Sequence, residues 1–203
     1  MTMEEKALQH LKENDSLLYK VACQVLKELG PLPIYTEKTP AELFESLCES
    51  IVSQQLSIKA SDTIFGRLKA LVKDITPENI LSAEDDALRS VGLSRPKVVY
   101  MKDLALHVKE GKIKLKELDS LLEEEVIKEL VAVKGIGQWT AEMFLMFSSR
   151  RPDVFSYGDL GLKNGFKKLY GEKTKEEMER IVNSWSPYKT FASRILWKSL
   201  MLK

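Results

Sequence analysis

The chain has 203 residues, of which 44% are hydrophobic and 30% charged, and its formal net charge is +1. A chain of this length and balance can bury a core and fold as one or two soluble domains. No apolar run approaches the roughly 20 residues of a membrane-spanning helix, and the opening residues MTMEEKALQH are acidic where a signal peptide would be apolar. We therefore expect no membrane association and a cytoplasmic protein, or a nuclear one in a eukaryotic host.

Helix signals recur along the chain, and strand signals are nearly absent. Capping residues mark three helix starts, at Thr39-Pro40, Thr76-Pro77 and Thr174. Apolar residues at helical spacing follow each start, on faces that we expect to be core. These are Leu43, Leu47 and Ile51, then Ile64, Leu68, Leu71 and Val72, then Met178, Ile181, Val182 and Trp185. The pattern predicts an all-α protein.

Two clusters of turn-forming residues break the helical pattern and mark candidate domain edges. They are Gly30-Pro31-Leu32-Pro33 and Ser148-Ser149-Arg150-Arg151-Pro152. We expect a bundle of about six helices over 36–148, and a second helical lobe formed by 1–35 together with 149–203. The cleft between the two lobes is the expected active site.

Cysteine usage and charge distribution constrain the binding partners. Cys23 and Cys48 sit in helical apolar patterns, which predicts reduced core thiols and neither a disulfide framework nor a zinc site. Residues 134–203 carry 13 Lys and Arg against 7 Asp and Glu, whereas residues 1–133 carry 18 against 23. This asymmetry favours a polarised surface that can meet phosphates, although a solvated face without a binding role would look the same.

A glycine-containing turn joins two helical patterns at Val133-Lys134-Gly135-Ile136-Gly137. Glycine lets the backbone approach a ligand closely, and the first N–H groups of the helix beginning near Gln138 favour an anion such as a phosphate. The alternative is a tight turn between helices with no ligand. The candidate contacts to a nucleic-acid backbone are Lys134, Gly135, Gly137 and Thr140.

The sequence VKGIGQWTA at 133–141, with DVFSYGD at 153–159, resembles the helix-hairpin-helix DNA glycosylase superfamily, and within it the 3-methyladenine DNA glycosylase II branch. Further matching pieces are IVSQQLS at 51–57, VGLSRPK at 91–97 and WSPY at 185–188. The resemblance spans about residues 43 to 197. It implies the two-lobed glycosylase fold, double-stranded damaged DNA as the partner, and no cofactor. Many members hold an iron–sulfur cluster through four C-terminal cysteines, which this chain lacks. We expect a monomer.

Asp159 is the candidate catalytic residue. Cleaving the bond between a base and deoxyribose builds positive charge on the sugar, which one ionised carboxylate can stabilise while it orients or deprotonates the attacking water. Locally, Gly158-Asp159-Leu160 is also typical of a helix N-cap. The resemblance assigns the catalytic Asp to this position, and an Asp at a helix start can serve both roles.

Members of the superfamily that also cut the DNA backbone use a Lys two residues after the second hairpin glycine, where its amine forms a Schiff base with the sugar. In this chain Trp139 stands there. The resemblance therefore implies a monofunctional glycosylase that leaves an abasic site. Lys134 is a poor substitute for that amine, and phosphate contact or simple solvation suits it better. The hairpin carbonyls are candidates for a monovalent cation, as relatives suggest.

An extruded base needs a pocket, and the gap that it leaves needs a wedge. The candidate pocket residues are Trp139, Tyr157 and Trp197, whose rings would stack on a cationic alkylpurine; a core role is the alternative for the tryptophans, above all Trp185. Gln55 or Leu56 is the candidate wedge, although Leu56 could equally be core.

The leading hypothesis is a glycosylase for alkylated purines such as 3-methyladenine and 7-methylguanine. One alternative is a glycosylase for another damaged or mismatched base, because pocket residues rather than the shared motif decide the substrate. The other is a non-catalytic helix-hairpin-helix module that binds DNA.

Overall fold

The structure is a computed structural model, and it describes residues 1–202, with the backbone alone at Asp119. Over these residues the chain forms twelve α-helices, one 3-10 turn and no strand, so the all-α prediction is confirmed. None of these helices has the length and apolar character needed to cross a bilayer.

The chain divides into two compact units. The contiguous unit comprises residues 36–149, and the terminal unit combines residues 1–35 with the chain from Arg150 onward. The helices of the contiguous unit are α3 (Pro40–Ser53), α4 (Ile58–Val72), α5 (Pro77–Ser82), α6 (Asp85–Ser90), α7 (Arg95–Lys109), α8 (Glu123–Val131) and α9 (Gln138–Phe147), with the 3-10 turn at Leu118–Ser120. Those of the terminal unit are α1 (Met3–Asn14), α2 (Ser16–Leu29), α10 (Leu160–Tyr170), α11 (Lys175–Asn183) and α12 (Lys189–Ser199).

The contiguous unit has seven α-helices among its described residues, where the sequence predicted about six. Between Pro77 and Ser90 the chain forms two short helices, α5 and α6. Ala83 and Glu84 both adopt extended backbone angles, with ψ of 133° and 143°, and these angles interrupt the helix after Ser82.

The predicted helix starts are confirmed. Thr39 and Thr174 each form a capping box with the Glu three residues later, and the Thr76 side chain accepts the Asn79 N–H. Each cap satisfies an N–H group that would otherwise lack an intrahelical partner.

Six of the predicted core residues are buried, namely Leu43, Leu47, Ile51, Leu68, Val182 and Trp185. Four are only partly buried, namely Ile64, Val72, Met178 and Ile181. Leu71 is 40% exposed, and Phe65, which the α4 stripe did not include, is buried. Cys48 is buried as predicted, but Cys23 is exposed. The buried face of α2 consists of Leu18, Ala22 and Val25, and one residue along a helix turns a side chain by about 100°, which carries Cys23 off that face.

Trp185 lies at the centre of the terminal unit, and it is fully buried. Its Nε1–H donates to Asp15 Oδ2 at 2.8 Å, and the Tyr170 hydroxyl donates to the same oxygen at 2.5 Å. Burial and this hydrogen bond raise the pKa of the Tyr170 phenol well above its usual range. Because Asp15 also caps α2 through the Leu18 N–H, one carboxylate joins the N-terminal and C-terminal halves of this unit.

Helices α10 and α12 pack closely because α10 presents two glycines to α12. A Cβ at Gly165 would lie 2.8 Å from the Leu196 carbonyl oxygen, and a Cβ at Gly161 would lie 2.7 Å from Trp197 Cδ1. Both distances are shorter than an ordinary van der Waals contact. A larger residue at Gly165 would meet the backbone of α12 and push the two helices apart, whereas one at Gly161 would displace the Trp197 side chain.

We expect Gly165→Ala to lower the free energy of unfolding by about 1–3 kcal/mol, because the methyl group meets backbone that cannot move aside. Urea unfolding followed by circular dichroism would measure the change. Gly66→Ala is the matched control, since Gly66 lies inside α4 with open space around it, and it should stabilise by up to about 1 kcal/mol. Equal effects of the two substitutions would contradict the packing argument.

Candidate active site and DNA interface

The loop that carries Asp159 is fastened to the start of α12. The Val154 N–H donates to Thr190 Oγ1 at 3.0 Å, and the Thr190 N–H donates back to the Pro152 carbonyl at 2.9 Å. The Ser186 hydroxyl donates to Asp153 at 2.5 Å. These bonds hold residues 152–154 against the residues that lead into and begin α12. They therefore fix the start of the loop that leads to Asp159.

Asp159 is the N-cap of α10 and is partly exposed. Its Oδ1 accepts the Leu162 N–H at 2.7 Å and the Trp197 Nε1–H at 2.8 Å. The carboxylate also lies at the positive end of the α10 dipole, which favours its ionised form. The N-cap role and the candidate catalytic role therefore coexist, and an ionised side chain serves both.

Of the aromatic residues predicted for the base pocket, two lie in the terminal unit. Trp197 contacts Asp159 directly, as described. Tyr157 is 37% exposed, and its ring meets Phe155 edge to face with 4.9 Å between centroids. Partial burial, with the nearby charge of Glu179, raises the pKa of the Tyr157 phenol. Tyr157 is therefore a neutral, partly apolar surface two residues before Asp159.

The predicted hairpin is present between α8 and α9 in the contiguous unit. Gly135 has φ of +82°, and a Cβ there would lie 2.2 Å from the Tyr100 ring, so only glycine fits. Gly137 is the N-cap of α9 and has no side chain to cap it. Val133 and Ile136 are buried and anchor the turn. The geometry matches what an anion site at a helix N-terminus requires.

The polar and aromatic residues of this hairpin face solvent to different degrees. The backbone N–H of Lys134 donates to Asp103 Oδ2 at 2.9 Å, and its ammonium lies 3.8 Å from Asp103 Oδ1. Trp139 is the second residue of α9 and is 52% exposed, so it is not a core tryptophan. Thr140 is partly exposed. All three stand in or directly after the turn.

The candidate wedge residues lie in a four-residue turn, 54–57, between α3 and α4, which we call the wedge turn. Gln55 has φ of +59°, an uncommon conformation for a residue with a side chain, and it is exposed. Leu56 is 39% exposed and lies outside the buried core. Both side chains are accessible, and the strained backbone at Gln55 is of the kind that collects at functional sites.

A hydrogen-bond network that sequence reasoning missed ties the wedge turn to the hairpin. The Gln54 Nε2–H donates to the Gly135 carbonyl at 2.8 Å. The Lys97 ammonium donates to the carbonyls of Val52 and Gln54, each at 2.8 Å. Burial lowers the pKa of Lys97. The only sequence signal for this brace is that Lys97 ends the VGLSRPK segment.

A polar cavity of about 320 Å³ lies beside the wedge turn within the contiguous unit. Its walls include a hydroxyl-rich face of α3, formed by Ser46, Ser50 and Ser53, with Leu56 at its edge. Each of these three hydroxyls donates to a carbonyl of α3 itself, so it faces the cavity as a hydrogen-bond acceptor. Among the described residues no cluster of His, Cys, Asp or Glu is arranged to hold a metal ion.

Comparison with known proteins gives concordant results. The profile of the HhH-GPD superfamily base excision DNA repair proteins matches residues 48–187. This match covers more than half of the chain. The chain belongs to the HhH-GPD superfamily.

Individual relatives of this superfamily match over nearly the whole chain. DNA-3-methyladenine glycosylase 1 of Schizosaccharomyces pombe is 34% identical, and the match covers 100% of this chain and 89% of the relative. The crystal structure of a DNA-3-methyladenine glycosidase from Bacillus halodurans is 41% identical with a TM-score of 0.82, covering 97% of this chain and 88% of that one. The S. pombe 3-methyladenine DNA glycosylase in complex with abasic DNA has a TM-score of 0.77 at 34% identity, covering 97% of both chains.

The predicted resemblance and the predicted glycosylase fold are thus confirmed. The region shared with the HhH-GPD profile contains the wedge turn, the hairpin and Asp159, and it ends before Trp197. The hydrogen bond between Trp197 and Asp159 is therefore a feature that the profile does not cover.

We expect Lys97→Met to lower the free energy of unfolding by about 1–3 kcal/mol, because the partly buried carbonyls of Val52 and Gln54 would lose their donor. Urea unfolding would measure this change. Lys109→Met, at an exposed position near the end of the same helix, is the control and should change stability by less than about 0.5 kcal/mol. A loss no larger than that of the control would show that the brace does not stabilise the turn.

Proposed function

We propose that the protein is a monofunctional DNA glycosylase that hydrolyses the N-glycosidic bond of alkylated purines, such as 3-methyladenine and 7-methylguanine, in base excision repair. The observation that carries the proposal is the carboxylate of Asp159, held at the start of α10 by the Leu162 N–H and the Trp197 indole. Two relatives at 34% and 41% identity, named as a DNA-3-methyladenine glycosylase and a DNA-3-methyladenine glycosidase, support the same substrate class.

In the proposed reaction the bond between the purine and C1′ of deoxyribose breaks, and its electron pair leaves with the base. Positive charge develops on the sugar, and the negative charge of Asp159 stabilises it. A water then attacks C1′, forms the new carbon–oxygen bond and loses a proton, with Asp159 as the acceptor. The products are a free base and an abasic site.

Alkylation suits a site that has one carboxylate and aromatic surfaces. A purine methylated at N3 or N7 carries positive charge and leaves as a neutral base, so it needs no protonation by the enzyme. Its charge favours contact with electron-rich rings, each worth about 0.5–2 kcal/mol. Trp139, Tyr157 and Trp197 are the rings that we assign to base recognition, and each is at least partly exposed.

The absence of lyase activity follows in this proposal from Trp139. An indole cannot form a Schiff base with the opened sugar. Lys134, which lies in the hairpin, has its ammonium 3.8 Å from Asp103 Oδ1, and we assign it to phosphate contact and not to Schiff-base chemistry. The reaction therefore ends at the abasic site.

We assign DNA backbone binding to Lys134, Gly135, Gly137 and Thr140, since N–H groups at the start of α9 can donate to a phosphate. We assign the wedge to Gln55 or Leu56, whose side chains are exposed in the wedge turn. Such contacts are blind to base identity, so discrimination falls to the aromatic residues.

We further propose that the enzyme acts as a monomer without a cofactor, in the cytoplasm or in the nucleus of a eukaryotic host. Hairpin carbonyls remain the candidates for a monovalent cation. The carbonyls of Val133 and Gly135 each accept one hydrogen bond and keep a second lone pair. No step of the proposed hydrolysis runs through such an ion.

The proposal is tested by incubating the protein with duplex DNA that carries labelled methyl groups, and chromatographing the released bases. We expect 3-methyladenine to be released and the strands to stay intact until alkali is added. Asp159→Asn should lower the single-turnover rate by about 100-fold or more, while the affinity for abasic DNA stays within about threefold.

The other outcomes are distinct. Release of a different damaged base from a panel of lesion duplexes would replace the substrate, and binding without any release would favour the non-catalytic module. Spontaneous strand breaks would contradict the role of Trp139, and full activity of Asp159→Asn would remove Asp159 from the mechanism.

A phosphate contact by Lys134 has its own signature. We expect Lys134→Gln to weaken binding to damaged and undamaged duplexes equally, and to reduce the slope of log affinity against log salt concentration by about 0.9. Fluorescence anisotropy at several salt concentrations measures both. Lys102→Gln, whose ammonium pairs with Asp85 on α6, is the control and should leave the slope unchanged. An unchanged slope for Lys134→Gln would assign this lysine to its pair with Asp103 alone.

A further inference from the structure

We infer that Trp197 is a positioning residue for the Asp159 carboxylate, and that Gly161 is the residue that allows it to reach the carboxylate. The inference rests on the proposed function, since it concerns the same reaction. It assigns to Trp197 a role beyond stacking against a base.

The geometry around Asp159 Oδ1 supports this role. One donor, the Leu162 N–H, belongs to the helix that Asp159 caps, and it lies 2.7 Å away. The other donor, the Trp197 indole N–H, comes from α12 and lies 2.8 Å away. Two donors from different helices prevent the carboxylate from rotating about its last side-chain bond. A hydrogen bond to a carboxylate is stronger than one to a neutral carboxyl group, so the indole donor favours the ionised form of Asp159.

Gly161 controls whether the indole can occupy this place. A Cβ on Gly161 would lie 2.7 Å from Trp197 Cδ1, 2.8 Å from Trp197 Nε1 and 3.1 Å from Asp159 Oδ1. Those atoms are the edge of the indole that donates and the oxygen that accepts. A methyl group at position 161 would therefore displace the hydrogen bond itself.

Trp185 provides the contrast within the same unit. It also donates its indole N–H to a carboxylate, that of Asp15, but it is fully buried and its partner caps a structural helix. Trp197 is only partly buried, and its partner is the proposed catalytic carboxylate. The first bond stabilises the fold, whereas the second acts on the reacting group.

Trp197→Phe tests the inference, because phenylalanine keeps an aromatic ring and loses the N–H. In single-turnover assays with excess enzyme, we expect the rate of base release to fall about 10- to 100-fold. The acid limb of the rate–pH profile should move to higher pH by about one unit, because an ionised carboxylate that loses a donor protonates more readily. Affinity for abasic DNA should change less than about threefold, and the fold should remain intact in thermal unfolding.

Gly161→Ala should reproduce the loss of rate and the shift of the acid limb while the tryptophan is still present. If both substitutions act through one hydrogen bond, the double variant should be no more than about twofold slower than Trp197→Phe. Gly66→Ala, in open space on α4, is the control and should keep the wild-type rate and profile. A wild-type rate and profile for Trp197→Phe, or fully additive effects, would overturn the inference.

A second measurement does not depend on activity. The protein has three tryptophans, and the Trp197 indole signal in a ¹⁵N-correlated spectrum is the one that Trp197→Phe removes. This signal should shift as Asp159 titrates, and the shift should vanish in Asp159→Asn. If neither pH nor Asp159→Asn changes the chemical shift of this signal, the inference is overturned, even if the enzyme releases alkylated bases. Conversely, if the wild-type protein releases no base but gives the expected spectrum, the proposed function is rejected and the hydrogen bond between Trp197 and Asp159 is confirmed.

Discussion

Between α10 and α12 there is room for glycine and nothing larger at two positions one turn apart, Gly161 and Gly165. This close packing brings the edge of Trp197 to Asp159, which also caps α10. The same helix α12 holds the loop before Asp159, through Thr190. One helix therefore sets both the position of the carboxylate and the direction of its hydrogen bonds. The proposed chemistry of the terminal unit therefore depends on how closely these two helices pack.

The contiguous unit solves a different physical problem. Its wedge turn and its hairpin are far apart in sequence, yet the bond from Gln54 to the Gly135 carbonyl joins them directly. Lys97 also stabilises this turn, because its ammonium donates hydrogen bonds to the carbonyls of Val52 and Gln54. Under the proposed function, a wedge residue must keep its position against the stacked bases. A hairpin that binds a phosphate must keep its N–H groups aligned. Joining the two lets a force on one element be resisted by the other.

Local signals made much of the fold predictable. The capping boxes at Thr39 and Thr174 were read correctly because a cap needs only neighbouring residues. The family followed from ordered motifs, and so did the candidate catalytic carboxylate, Asp159. The Trp197 bond and the Lys97 brace could not be predicted, because each joins residues that only the folded chain brings together. Leu71 and Cys23 were misassigned for a related reason, since a helical stripe predicts the apolar face but not how far its neighbours cover it.

The terminal unit is assembled from both ends of the chain, and this has a consequence for biosynthesis. The bond between Asp15 and Trp185 spans 170 residues. At roughly 5–20 residues per second on a ribosome, α1 and α2 would wait about 10 to 30 seconds before their partners emerge. Meanwhile the apolar face formed by Leu18, Ala22 and Val25 has no core to join, whereas the contiguous unit can already collapse. The nascent chain is thus most prone to aggregation or chaperone capture at its beginning, more than 130 residues along the sequence from the proposed catalytic Asp159.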